Sequence, residues 1–322
     1  MKEYGGYLPL ELQHGKAYYN FDNDKIIKTN SGLTAIYCAL SAINPKKVYL
    51  PYFVCPTVDN LVSSMGFEIV QYNIDKDFQP INLNCSDEDC VLLVNYFGIN
   101  TDMVIKNYSR FNNVIIDNTQ AFFAEPIFRK NVFNVYSCRK FIGTSDGGYL
   151  IGTDLPEVNM EQDCSGKRAS FLLMQYEYGT NEAYQDSIEN YNQIRDERKR
   201  MSNLTERILE SVDYTFVKDR RQRNFQELCK LLGGLNKLKL DLSDNDIPYT
   251  YPFMIRKDIR SKLVEHKIYV PWIWKEKNTD DYFGIPEYDF TKYIFHLPID
   301  QRYSERDMDY IAQTVLNLLE EI

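Results

Sequence analysis

Short apolar runs recur along the first half of the chain, each of a length typical of a strand buried on both faces. These runs are residues 48–50, 67–72, 91–96, 114–117 and 132–137. Helical patterns stand between the earlier runs, at residues 31–40 behind a Ser cap and at about residues 56–64 with Pro in the first turn. Strands that alternate with helices predict a mostly parallel sheet with right-handed crossovers, and therefore an α/β fold.

The second half of the chain follows a different pattern. Residues 160–212 are polar and predict helices, and the mixed charges of residues 195–200 predict a solvated helix face. Strand patterns return at residues 252–255 and 268–270, and an amphipathic helix follows at about residues 305–319.

These patterns predict two domains. Residues 1–212 form a large α/β domain and residues 213–322 a smaller α+β domain. The N-terminal segment packs either on the large domain or on the small one. The sequence shows no internal repeat and no low-complexity linker.

Composition excludes several classes of function. The 322 residues are 44% hydrophobic and 26% charged, as in ordinary globular proteins, and the net charge is −9. Because nucleic-acid binders show a basic footprint, we expect no nucleic-acid partner. No apolar run approaches the roughly 20 residues that cross a bilayer, and residues 1–6 lack the apolar core of a signal peptide. We therefore expect a cytoplasmic protein with no membrane partner.

The seven cysteines are odd in number and unevenly spaced, and the chain has three histidines. The one close pair, Cys85 and Cys90, lacks the C-x-x-C spacing of a zinc or redox site. We expect reduced thiols and no metal. His296, in an apolar setting, is interpreted as structural.

Polar residues stand where strands of the predicted sheet end, which is where open parallel sheets bind ligands. Ser31 and Gly32 open a helix whose free amide groups and dipole favour an anion such as phosphate, although an ordinary N-cap looks the same. Asp117 ends a buried strand, where a carboxylate needs a cationic partner unless it forms an Asx turn.

Lys140 follows another strand end and has apolar neighbours, so a lowered pKa and imine formation are expected for it. Ser137 precedes it by three residues, but the S-x-x-K spacing also occurs in serine acylases, whose S-D-N and K-T-G companions are missing here. Pyridoxal phosphate needs a lysine, an acid opposite its pyridinium nitrogen and a phosphate cradle. The three features together fit that cofactor.

Several longer segments, together with this order of residues, resemble the DegT/StrS-type sugar aminotransferases, and in particular a short branch of that family. The segments are NSGLTAIYCAL, VYLPYFVCPTV, NYFGI, VIIDNTQAFF, YSCRKFIGTSDGGYL and HLPIDQRYSERDM. The likeness is strongest over residues 29–152, weaker over 250–320 and weakest between them. It implies the fold-type I architecture of pyridoxal-phosphate transferases: a large domain with a mostly parallel sheet flanked by helices, and a smaller α+β C-terminal domain.

The resemblance also implies roles for residues at matching positions. Lys140 would hold pyridoxal 5'-phosphate as a covalent aldimine and move the substrate proton, and Asp117 would hold the pyridinium proton. Gln120 would bind the phenolic oxygen of the cofactor. The positions that match the family's phosphate-binding residues are Ser31, Gly32 and Ser137. The sequence Asp-Gly-Gly at 146–148 matches the family's turn after the lysine.

The chain departs from the family pattern in three places. The residue stacked on the cofactor ring falls at Cys55, with Phe53 the nearest aromatic candidate beside Tyr52. The G-Y-N-Y-R segment that reaches the partner subunit's phosphate is not recognisable, and residues 190–192 and 201–204 are the two candidates. The chain is also short, which reduces the surface expected to bind a nucleotide.

The resemblance implies transfer of an amino group from an amino acid, glutamate by family analogy, to a nucleotide-linked keto-sugar. A homodimer with sites built from both subunits and a place in surface-polysaccharide biosynthesis are implied too. Arg139 contacts a carboxylate or diphosphate, or else forms a structural ion pair. The alternatives are a sugar dehydratase, which would lack the lysine, and a non-catalytic relative that binds or regulates.

Overall fold

The apolar runs of the first half form the strands of one sheet. The structure, a computed structural model, describes residues 4–277 and 284–321. Its strands are β1 (Ile26–Thr29), β2 (Lys47–Pro51), β3 (Glu68–Ile74), β4 (Pro80–Ile81), β5 (Cys90–Val94), β6 (Asn113–Asn118), β7 (Val132–Ser137), β8 (Gly148–Ile151), β9 (Tyr251–Met254) and β10 (Ile294–Leu297).

Helices connect and cover these strands, and several of them begin where the sequence supplies a side-chain cap or proline. Ser31 caps the first helix and Pro56 opens the second. The α-helices are α1 (Gly32–Ile43), α2 (Pro56–Ser64), α3 (Thr101–Asn107), α4 (Ser170–Tyr178), α5 (Thr180–Asp196), α6 (Asn203–Leu209), α7 (Tyr214–Leu232), α8 (Arg260–Glu265), α9 (Pro286–Tyr293) and α10 (Glu305–Glu320). None of those in the described ranges is long and apolar enough to cross a membrane.

The eight-stranded sheet has the order β1-β8-β7-β6-β5-β2-β3-β4. Strands β3, β2, β5, β6 and β7 run parallel, while β4, β8 and β1 pair antiparallel with their neighbours. Every residue of β5, β6 and β7 is buried, as expected for central strands covered on both faces. The predicted α/β fold with a mostly parallel sheet is confirmed.

The register of the central strands places the candidate acid. Asp117 pairs with Val94 of β5 and with Val135 of β7, one residue before β6 ends. The carboxyl ends of these three parallel strands meet at the same edge of the sheet. Asp117 therefore lies at the centre of that edge, close to the end of β7 that leads to Lys140.

Two features of the second half differ from the sequence prediction. Residues 268–270 form no strand, because the amide of Ile268 donates to the Leu263 carbonyl at 2.9 Å and so ends α8. Strand β9 pairs instead with β10. The charges at 195–200 are also not one solvated helix face: α5 ends at Asp196, and Arg200 bridges to Thr29 at the end of β1.

Three clusters of buried apolar residues make up the interior. One lies around the central sheet, and a second joins α7, α8 and α10 to β9 and β10 in the C-terminal third. A third surrounds Tyr19, whose hydroxyl donates to the Phe122 carbonyl at 2.7 Å and the Ala124 carbonyl at 2.8 Å. The N-terminal segment thus contacts the sheet domain. Helix α7 contributes Val217 to this third cluster and Phe225 to the second, so it spans both regions.

Candidate active site

A cleft of about 110 Å³ lies at the carboxyl ends of β6 and β7, beside the first turn of α1. Six of the residues predicted for the site line it: Ser31, Gly32, Cys55, Asp117, Ser137 and Lys140. The structure thus brings together residues that are spread over more than a hundred positions of the chain.

The first turn of α1 forms one wall of the cleft. The Ser31 hydroxyl accepts a hydrogen bond from the Thr34 amide at 3.1 Å, so Ser31 is a true N-cap. The first amides of a helix have no partner inside the helix, and together with the helix dipole they favour an anion. A Cβ at Gly32 would lie 2.7 Å from the Thr119 Cγ2, so glycine lets α1 begin close to the end of β6.

The Asp-Gly-Gly turn after Lys140 fixes the position of this helix start. A Cβ at Gly148 would lie 2.5 Å from the Ser31 carbonyl carbon, so the two segments approach closely. The buried Asp146 carboxylate accepts from the Ser202 amide and hydroxyl, both at 2.7 Å, and from the Thr205 hydroxyl. Asp146 therefore holds the start of α6 and is a structural residue.

Asp117 is 5% exposed and lies at the bottom of the cleft. Its Oδ1 accepts from the Thr119 amide at 2.9 Å, which is the Asx turn that the sequence allows. In the described ranges the structure gives Oδ2 no hydrogen-bond donor and the carboxylate no ion pair. The second oxygen is therefore available to an N–H group of a ligand.

Lys140 lies across the cleft floor, and its Nζ donates to the Thr119 Oγ1 at 3.0 Å. Burial lowers the pKa of Lys140, while the Asp117 carboxylate acts in the opposite direction and the Arg139 guanidinium lowers it further. A lowered pKa increases the fraction of neutral amine, which is the nucleophilic form. Thr119, which the sequence analysis did not single out, thus links the acid to the amine.

Cys55 lies on the cleft wall with its Sγ 3.0 Å from the Thr57 Oγ1. Phe53 does not line the cleft. It is 1% exposed, stacks on Tyr96 at 5.5 Å and meets Trp274 edge-on at 4.6 Å. The structure therefore gives Phe53 a place in an aromatic core, and the side chain at the predicted stacking position is a thiol.

Gln120 also lies outside the cleft lining. It is 2% exposed, and its Oε1 accepts from the Phe97 amide at 3.0 Å. Phe97 has a φ of 57°, in the left-handed region that non-glycine residues rarely adopt. The Gln120 oxygen stabilises that turn, and the role of Gln120 as a ligand of the cofactor's phenolic oxygen stays a prediction.

Helix α5 supplies a wall that the sequence analysis did not assign to this chain's own cleft. Tyr191, named there only within a segment reaching a partner subunit, lines the cleft with Ile194 and Arg195. Its neighbour Asn190 anchors the helix, donating to the Ser145 carbonyl at 2.8 Å and accepting from Arg168 at 3.0 Å. No pattern in the sequence of α5 indicates that this helix lines the cleft.

The comparisons with known proteins agree with the fold. The sequence matches no family model and no curated protein. The structure is similar to the sugar aminotransferase CalS13 from Micromonospora echinospora, with a TM-score of 0.61, 14% identity, and coverage of 90% of this chain and 86% of that one. It is similar to a DegT DnrJ EryC1 StrS aminotransferase from Brucella abortus, with a TM-score of 0.57, 16% identity, and coverage of 91% and 85%.

A further similar structure is NtdA from Bacillus subtilis, solved with bound cofactor PMP. Its TM-score is 0.60, its identity 16%, and the match covers 92% of this chain and 73% of that one. The fold implied by the resemblance of the sequence segments is thus confirmed. At such low identity the likeness establishes the fold, and the chemistry must be argued from the cleft. Within the described ranges no group of three or more His, Cys, Asp or Glu residues could hold a metal ion.

Proposed function

We propose that this chain is a pyridoxal-phosphate-dependent aminotransferase that moves an amino group from an amino acid to a keto-sugar. One observation carries the proposal: the amine of Lys140, the carboxylate of Asp117 and the first turn of α1 face the same cleft. Solved proteins with this fold include a sugar aminotransferase and one with bound PMP.

The residues present fit the cofactor. The first-turn amides of α1, with Ser31 and Ser137, would hold its phosphate. The free oxygen of Asp117 would accept a hydrogen bond from the N–H of the pyridinium nitrogen and so keep the proton on the ring, and Lys140 would bind the aldehyde carbon covalently. When bound, the cofactor supplies an electron sink for the substrate carbanion. Lys140, once released, would carry the proton between carbon atoms, and Asp117 would keep its charge next to the ring.

The finer parts of the proposal follow the family resemblance. We take glutamate as the donor and a nucleotide-linked keto-sugar as the acceptor, within surface-polysaccharide biosynthesis. A cytoplasmic location is part of the proposal, and the seven cysteines are free thiols, as in a reducing compartment. The assignments of Phe53 as the stacking residue and of Gln120 as a ligand of the phenolic oxygen stay predictions, and neither side chain lines the cleft.

A homodimer is also proposed. Helix α4 has no buried residue, and its Leu173 and Tyr176 are 61% and 93% exposed. These two side chains are three residues apart and therefore lie on one face of the helix. Helix α4 packs on α5, which lines the cleft, so a second copy of this chain seated on α4 would lie near the cleft.

The first test is spectroscopic. The purified chain incubated with pyridoxal phosphate should develop a visible absorption band, which glutamate should bleach as the amino group moves to the cofactor. Lys140→Ala should abolish the band, the bleaching and transamination, because among residues 4–277 and 284–321 no other lysine lines the cleft. The matched control is Lys106→Ala, an exposed lysine of α3, which should behave as the wild type.

The outcomes separate the alternatives. A band that no amino donor bleaches would retain cofactor binding and overturn transamination. The absence of any band would favour a non-catalytic relative, an alternative that the thiol of Cys55 at the ring-stacking position supports. Transamination by the Lys140→Ala protein would refute the assignment of Lys140.

A further inference from the structure

Among the described residues three cations line the cleft, and two of them have partners. Lys140 donates to Thr119 at 3.0 Å, and Arg195 pairs with Asp196 at 2.9 Å. Arg139 forms no hydrogen bond and no ion pair with any of the described residues. Its Nε is fully buried and unsatisfied. Unpaired polar atoms of this kind are uncommon in native proteins and call for an explanation.

The surroundings of Arg139 hold it in place without neutralising it. The guanidinium lies over the ring of Tyr191, with its Cζ 5.5 Å from the ring centroid. The carboxylate whose charge acts on Arg139 is Asp146, but its oxygens already accept from Ser202 and Thr205. Lys140, the next residue, adds charge of the same sign. The cleft therefore contains a positioned cation without a counter-ion.

Two other arginines whose side chains are mostly buried show what a structural role looks like. Arg168 pairs with Asp163 at 2.6 Å and also donates to Asn190. Arg221 donates to the carbonyls of Pro248 and Tyr249 at 3.2 and 3.0 Å. Each of these guanidinium groups is satisfied within the protein. Arg129 and Arg260 also have a buried unsatisfied Nε, but each still donates through Nη2 to backbone carbonyls. Arg139 donates to none of the described residues, and of these five arginines it alone lines the cleft.

We propose, resting on the function proposed above, that Arg139 binds the carboxylate of the amino donor. A guanidinium fork matches the two oxygens of a carboxylate and forms paired, charge-assisted hydrogen bonds with it. An α-amino acid carries its amine and its carboxylate on one carbon atom. A receptor for the carboxylate must therefore lie close to the amine that is exchanged, and Arg139, which precedes Lys140 in the chain, lines the same cleft.

The cofactor phosphate is the competing oxyanion. The first-turn amides of α1 and the hydroxyls of Ser31 and Ser137 already provide a neutral cradle for it, and the helix dipole favours its charge. Of the cations that line the cleft in the described part of the chain, the other two already have partners. The geometry therefore assigns Arg139 to the donor, and the test must separate the two oxyanions.

The experiment uses Arg139→Gln, which removes the charge and keeps most of the length, and Arg139→Lys, which keeps the charge and loses the fork. Binding of glutarate, a dicarboxylate without an amine, is measured by calorimetry with and without pyridoxal phosphate. The affinity for pyridoxal phosphate is measured by its visible band, and the glutamate concentration for half-maximal bleaching by titration. Arg223→Gln, an exposed arginine of α7 paired with Asp219, is the matched control.

We expect Arg139→Gln to weaken glutarate binding and raise the half-maximal glutamate concentration by about 10- to 100-fold. Arg139→Lys should fall between Arg139→Gln and the wild type, and the affinity of all variants for pyridoxal phosphate should stay within about 3-fold. Melting curves verify that the variants fold. Glutarate affinity unchanged in Arg139→Gln, or a loss confined to pyridoxal-phosphate affinity, would overturn the proposal.

Glutarate binding without cofactor keeps this result separate from the function proposed above. A wild-type protein that forms no visible band but binds glutarate through Arg139 would refute transamination and retain the carboxylate site. A protein that forms the band but has the same glutarate affinity in the wild type and in Arg139→Gln would refute the carboxylate site and leave the proposed function standing.

Discussion

Thr119 is the residue on which the arrangement of the candidate acid and amine depends. Its amide donates to Asp117 Oδ1 at 2.9 Å and its hydroxyl accepts from Lys140 Nζ at 3.0 Å. One residue thereby orients the carboxylate and holds the amine beside it. Because these hydrogen bonds lie in a mostly buried cleft, they hold the carboxylate and the amine in position.

Asp117→Asn tests the charge of the acid separately from its position. The asparagine oxygen can still accept from the Thr119 amide, so the cofactor should remain bound. Loss of the negative charge should slow the bleaching of the visible band by glutamate by about 10²- to 10³-fold, since an unprotonated ring takes up carbanion charge poorly. Rapid mixing measures the rate.

The same substitution has a second expected effect. The Asp117 charge raises the pKa of Lys140 against the effect of burial. Without it, Lys140 should lose its proton at a lower pH, so covalent labelling by pyridoxal phosphate should begin at lower pH than in the wild type. Asp102→Asn, in an exposed position of α3, is the control and should leave both rate and pH profile unchanged. A wild-type rate in Asp117→Asn would contradict the role.

At the scale of the elements, the start of α1 is held between two strand ends. Gly148 of β8 lets the Ser31 backbone approach, and Gly32 lets the helix pass the Thr119 side chain. Strand β1 leads into α1 and pairs antiparallel with β8, with Thr29 opposite Gly148. The pairing of β1 with β8 thus aims the first turn of the helix at the cleft.

Gly32→Ala tests this close approach. The new Cβ would lie 2.7 Å from Thr119 Cγ2 and 3.4 Å from the Tyr136 carbonyl oxygen. Such overpacking should lower the free energy of unfolding by about 1–3 kcal/mol. In the double variant with Thr119→Ser most of the loss should be recovered, because serine lacks Cγ2 but keeps the hydroxyl that accepts from Lys140. Denaturant titration measures each free energy.

Gly166→Ala is the matched control for this series. A Cβ at Gly166 has no atom within 4 Å, so the free energy of unfolding should change by less than about 0.5 kcal/mol. A Gly32→Ala protein as stable as the wild type would show that α1 can shift away from β6. The double variant would then have nothing to recover.

The whole molecule combines a sheet domain that holds the cleft with a C-terminal region that has its own apolar cluster. The boundary between residues 212 and 213 remains a prediction, because α7 contributes to two clusters. Between the two regions of the chain, helices α4 and α5 form a pair, with α5 facing the cleft and α4 exposing apolar side chains. Exposed apolar side chains on one face are typical of an interface.

We expect the protein to sediment at twice the 37.9 kDa of the chain. The double substitution Leu173→Glu with Tyr176→Glu should shift it to the monomer, because it places charge at the centre of the proposed contact. Tyr310→Glu, at a 55% exposed tyrosine of α10, is the control and should leave the dimer intact. Analytical ultracentrifugation decides between the outcomes, and a monomeric wild type would refute the dimer.

The sequence by itself determined the features that are local. Apolar runs marked the central strands, and Ser31 and Pro56 marked helix starts, because both signals lie within a few neighbouring residues. The meeting of Asp117 with Lys140 was predictable too. Parallel strands end at one edge of a sheet, so chain order and strand ends were enough to place both residues there.

Only the tertiary structure decided the features that depend on distant segments. The sequence near Phe53 and Gln120 does not determine the direction of either side chain. In the structure both are buried: Phe53 stacks on Tyr96, and Gln120 accepts from the Phe97 amide. Helix α5 reaches the cleft through packing that no sequence period encodes. Whether Arg139 has a counter-ion likewise depends on which carboxylates the fold brings near it. The carboxylate that acts on it, Asp146, is hydrogen-bonded to the start of α6.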